Sequence, residues 1–162
     1  MSRKITYISL LSVLAIIFGY IESLFPIPIP IPGIKLGISN IVILFSVYNL
    51  KKSDSFLIML IKVMLTSLLF AGLNTLFYSL LGGVFSIIAM NTAKKLPFSI
   101  IGVSVLGALF HNLGQIVAAS LLLKTTSVFY YLPVLLISGA VVGIIIGILG
   151  KLVFSKLKYS HL

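Results

Sequence analysis

The stretch Tyr131–Phe154, YLPVLLISGAVVGIIIGILGKLVF, decides the class of fold. From Tyr131 to Gly150 it carries no charged side chain. At 1.5 Å per residue, a helix of that length reaches about 30 Å, the thickness of a bilayer's hydrocarbon core. Strands buried in soluble cores are far shorter. Gly139, Gly143 and Gly147 recur every four residues, the small-residue stripe that lets membrane helices approach closely.

The same character extends toward the N-terminus. Of the 162 residues, 60% are hydrophobic and 9% charged, whereas soluble domains run near half and a quarter. Breaks rich in Gly, Pro or charge divide the chain into six predicted spans. These are Ile5–Phe25, Ile34–Leu50, Ser55–Ala71, Thr75–Thr92, Ser99–Leu123 and Tyr131–Phe154. The expectation is an all-α integral membrane protein, one domain over 1–162, built as a compact six-helix bundle. The opening Met1–Lys4 followed by an apolar run has no small-x-small cleavage site, which predicts an uncleaved first helix.

Charge sets the orientation. The sequence holds 12 Lys and Arg against 2 Asp and Glu. Arg3, Lys4, Lys51, Lys52, Lys94, Lys95, Lys151, Lys156 and Lys158 fall on one side of the six spans, and Lys35 and Lys124 on the other. The positive-inside rule then predicts both termini in the cytoplasm and a multi-pass protein of the cell membrane. Cations at helix ends indicate topology and contact with anionic membrane lipids, not nucleic acid.

Between the first two spans lies a ladder, Pro26, Pro28, Pro30 and Pro32, then Gly33. Alternate prolines exclude a helix there. Polyproline geometry makes the ladder a stiff strap of roughly 20–25 Å, either a plain connector or a lid over a pocket.

Few polar groups enter the spans, and a charge in hydrocarbon costs on the order of 3 kcal/mol. Glu22 is the only acid in a span, and its expected partner is Lys35, Lys62 or a protonated His111. In span five, Ser104, Gly107, Ala108, His111, Asn112, Gln115 and Ala118 share one helical face. Either hydrogen bonds between helices or a ligand pocket accounts for such a face. Asn40, Asn74, Tyr78 and Glu22 fall at similar depth on other spans, so an outward-opening solute pocket is the expectation. Its expected lining is Asn40, Asn74, Tyr78, His111, Asn112 and Gln115, with Glu22 beside it. Lys35 and Lys62 are candidates for an anionic group of the solute.

Absences narrow the chemistry. No Gly-x-x-x-x-Gly-Lys-Ser/Thr loop is present: at Gly150-Lys151, Ile145 stands for the first glycine and Leu152 follows. The chain has no cysteine, and its acids, Glu22 and Asp54, form no carboxylate pair. No catalytic residue, metal site or cofactor is expected, and the chain is read as a non-enzyme.

Three segments carry a family resemblance: Glu22–Pro26 with the ladder and Gly33–Ile41, Lys62–Gly72 with Tyr78–Gly83, and Ile101–Gly107 with His111–Gln115. With these the chain resembles the Gx transporter family, also labelled heptaprenyl diphosphate synthase component I. That family is similar in size and layout to the S components of energy-coupling factor (ECF) importers. The resemblance implies a membrane-embedded binder of a small micronutrient or vitamin-like solute, working with a transmembrane coupling subunit and two ATPase subunits. It also implies that small residues of the first helix, here Ala15 and Gly19, meet the coupling subunit. The synthase label implies an alternative, a non-catalytic membrane accessory subunit of isoprenoid or quinone biosynthesis. A third reading is a proton-coupled secondary carrier using Glu22 and His111.

Overall fold

A computed structural model describes residues 2–24 and 37–156. The proline ladder, Lys35, Lys158 and His161 lie outside the described residues. Six helices follow in order: α1 Ser2–Leu24, α2 Asn40–Asn49, α3 Lys52–Thr66, α4 Leu73–Ala93, α5 Ile100–Leu123 and α6 Leu132–Lys156. A π-helical turn, Ser67–Ala71, extends α3, and a 3-10 turn, Ser127–Tyr131, leads into α6.

Five segments are long and apolar enough to cross a membrane: α1, α3 with its π turn, α4, α5, and α6 with its 3-10 turn. The second span departs from its expected Ile34–Leu50. Its described helix begins at Asn40 and has 10 residues, about 15 Å or half a hydrocarbon core. The break has a local cause. Gly37 takes φ +72°, a left-handed conformation that glycine adopts at no steric cost, and a turn from its carbonyl to Asn40 N–H precedes the helix. Gly72, at φ +84°, separates α3 from α4 in the same way, and its N–H closes the π turn onto Ser67 at 2.7 Å.

Contacts between helix ends establish the up-and-down order. Lys4 pairs with Asp54 at 2.8 Å, so α1 and α3 start at the same end. Lys94, just past α4, donates to the carbonyls of Val47 (2.7 Å) and Tyr48 (3.2 Å), so α2 and α4 finish there too. The Phe154 ring packs against Phe45 and Tyr48, which brings the close of α6 to that end. The clustering of cations read from the sequence is therefore spatial: Arg3, Lys4, Lys51, Lys52, Lys94, Lys95, Lys151 and Lys156 gather at one basic end.

The burial pattern inverts that of a soluble protein. Ile137, Leu121, Ile88, Leu10 and Val13 are exposed, while Ser39, Ser46, Ser55, Asn112 and Gln115 are buried. In lipid this is the stable arrangement, because apolar side chains meet acyl chains and polar ones find partners inside. Helix α5 is sandwiched between α4 and α6. A Cβ on Gly143 would stand 2.7 Å from Val105 Cα, and one on Gly114 2.6 Å from the Leu81 carbonyl oxygen. Both seams require glycine because the neighbour is backbone, which cannot move aside.

Candidate functional site

Helix α2 begins at about mid-depth, and a compact polar cluster surrounds its start. The Glu22 carboxylate, near the end of α1, accepts from Ile38 N–H through one oxygen and from Ser39 Oγ at 2.8 Å through the other. The Lys62 ammonium of α3 donates to Asn40 Oδ1 at 3.0 Å. Neither the Ser39 nor the Leu50 end of α2 is capped by a side chain of its own. Instead Glu22 places negative charge at the N-terminus, and Lys94 places positive charge at the C-terminus. Each complements the helix dipole, an effect worth about 0.3–1 kcal/mol on a surface and up to about 2 in partly buried sites. Lys94 also lies 5.3 Å from the Tyr48 ring centroid, and burial pushes its ammonium below the usual lysine range.

Glu22 therefore meets the backbone and hydroxyl just before a neighbouring helix; Lys35, one of its three expected partners, lies outside the described residues. A capping carboxylate does the work of an ion pair because unsatisfied N–H groups at a helix start act as a partial positive charge.

Below the cluster, toward the basic end, α2, α4, α5 and α6 enclose a cleft of about 20 Å³. Asn40, Ser86 and Ser104 are its polar lining; Leu44, Met90 and Ile146 are among its apolar walls.

The remaining predicted pocket residues divide. Asn112 is buried and donates to the Leu135 carbonyl of α6. His111 and Gln115 face the other way, onto Gly82 of α4, where a Cβ would stand about 3.0 Å from each side chain. Gln115 Oε1 is buried with no hydrogen-bond partner. Tyr78 is half-buried, and Asn74 is exposed in the first turn of α4. The single expected lining is thus split, because α5 has a neighbour on either flank and its polar face is shared between them. Glu22 and His111, the pair of the carrier reading, likewise meet different helices. Ala15 is fully buried, and Gly19 abuts Thr66, where a Cβ would stand 2.6 Å from Cγ2. Gly19, which the resemblance assigns to a partner contact, meets α3 within the chain itself. Ile5, Leu10, Val13 and Ile17 form the exposed face of α1.

Sequence reasoning missed Ser39, Ser86 and Lys94 as working residues. For Ser39 a signal exists, a small polar residue just before an apolar helical run. The contacts of Lys94 with α2 and the place of Ser86 in the cleft are tertiary, and no local pattern encodes them.

The family model for heptaprenyl diphosphate synthase component I matches residues 11–153. The chain belongs to that family. No curated protein and no solved structure matches it. The matched stretch of this component I chain takes in the whole cluster at α2 and the whole cleft beneath it.

Proposed function

We propose that this component I chain is a membrane-embedded solute-binding subunit of an ECF-type importer. One observation carries the reading: Glu22, Ser39, Asn40 and Lys62 meet at about mid-depth, at the start of a helix too short to cross the membrane. Ionised side chains inside hydrocarbon are costly and mark solute or ion sites. Discontinuous helices commonly build such sites near the midplane in transporters. Both acids have structural tasks, Glu22 at α2 and Asp54 with Lys4, which supports a binder rather than a catalyst. In this reading Asn40 and Lys62 contact the solute, Glu22 holds α2 in position, and partner ATPases drive reorientation of the bundle. A coupling subunit would then dock on the exposed face of α1 or after a rearrangement that uncovers Ala15 and Gly19.

The test is purification from its native membrane, with mass spectrometry of retained small molecules and co-purifying proteins. The expected result is a retained solute, weakened by Asn40→Ala and by Lys62→Met, together with a coupling subunit and ATPases. Solute retention identical in both variants refutes the site. The family name favours a second reading, a non-catalytic accessory subunit of heptaprenyl diphosphate synthesis. Co-purification of a soluble prenyl synthase, in place of ATPases, would select it.

A further inference from the structure

The cleft beneath Asn40 carries polar groups that the site described above does not use. Serines in these helices commonly bond back to their own backbone: Ser12 to the Ile8 carbonyl at 2.9 Å, Ser46 to that of Ile43 at 2.7 Å. Ser86 and Ser104 do not. Among the described residues neither hydroxyl has a hydrogen-bond partner, although Ser104 is only 5% exposed. Both line the cleft.

The chemistry of the third polar group follows from Lys62. A lysine ammonium only donates, so the Asn40 atom facing it is the carbonyl oxygen, which leaves the amide's NH2 as the free end. The ammonium also polarises the amide and strengthens that NH2 as a donor. No acidic side chain lines the cleft. The set therefore offers donors on every polar group and holds no anionic charge to balance a cation. A void of about 20 Å³ admits one water-sized group, since about 10–15 Å³ is the minimum for one.

We propose that Asn40, Ser86 and Ser104 form a binding site for a single oxygen acceptor, which is either an ordered water or the carbonyl, hydroxyl or carboxylate tip of a solute. The oxygen accepts from the Asn40 amide and at least one of the two serine hydroxyls, which satisfies donors otherwise stranded in a membrane interior. The solute source rests on the solute-binding reading; the water source stands without it.

The experiment is a high-resolution structure of the purified full chain in lipid nanodiscs, paired with mass spectrometry of compounds retained by the wild type, Ser104→Ala, Ser86→Ala and a Ser12→Ala control. An isolated density peak within hydrogen-bond reach of the three side chains, with no retained compound, establishes the water. Continuous density from an oxygen-bearing compound, whose retention falls at least tenfold in Ser104→Ala or Ser86→Ala and holds in Ser12→Ala, establishes the solute tip. An empty cleft with both serine hydroxyls bonded to their own helices overturns the site, as does an ammonium or guanidinium group seated there. Failure to co-purify ATPases would sink the importer reading and leave the density result intact.

Discussion

Removing the Glu22 carboxylate should unfasten the start of α2. In Glu22→Ala, Ile38 N–H and Ser39 Oγ lose the acceptor they share. A hydrogen bond to a charged group contributes about 1.5–3 kcal/mol, and a buried donor left without an acceptor costs about 1–3 kcal/mol. Glu22 is half-exposed, and the serine hydroxyl can turn to another acceptor. The expected loss is therefore about 2–4 kcal/mol, dominated by the Ile38 N–H. Glu22→Gln keeps one carbonyl oxygen for Ile38 N–H and forfeits the charge facing the helix dipole, so its cost should be near 1 kcal/mol. The chain has no tryptophan, so unfolding in mixed micelles is best followed by circular dichroism. Hydrogen exchange by mass spectrometry supplies the local readout. Peptides covering Ile38–Ile43 should exchange faster in Glu22→Ala, with peptides from α5 unchanged. Equal destabilisation by Ala and Gln, or unaltered exchange at Ile38–Ile43, would refute the capping role.

The other end of α2 gives a matched case: Lys94→Met strips donors from the Val47 and Tyr48 carbonyls and should cost about 1 kcal/mol, read as faster exchange confined to the last turn of α2. Gly114→Ala drives a Cβ to 2.6 Å from the Leu81 carbonyl oxygen; forcing α4 and α5 apart should cost about 1–3 kcal/mol in the same denaturation assay, and a neutral result would mean the seam is looser than the geometry allows. A double-mutant cycle on Asn40→Leu and Lys62→Met should return a coupling of about 0.5–3 kcal/mol, whereas additive effects would dissolve the pair. Asp54→Asn breaks a contact in which the Lys4 side chain is 53% exposed, so its cost should stay at or below about 1 kcal/mol and vanish in high salt.

Local chemistry alone reveals that the protein lies in a membrane, how many helical segments it has, where most of them end, and which ends share a side. Hydropathy, glycine and proline breaks and the placement of lysines are properties of short stretches, and Tyr131–Phe154 already carries the first of them in full. The partners of polar groups are not local. A sequence shows which basic side chains could face Glu22, but not that its oxygens accept from a backbone N–H and a serine whose position depends on where α2 starts. That start in turn depends on Gly37 adopting a left-handed turn inside an otherwise apolar stretch. Helical spacing puts the polar residues of α5 on one face, yet only packing divides it, Asn112 to α6 and Gln115 to α4. The resemblance assigns Ala15 and Gly19 to a partner, and only the fold shows Ala15 buried within the chain and Gly19 against Thr66 of α3. Periodicity tells which side chains lie together on one helix, but which neighbour they meet follows from how six helices share a limited set of glycine-lined seams.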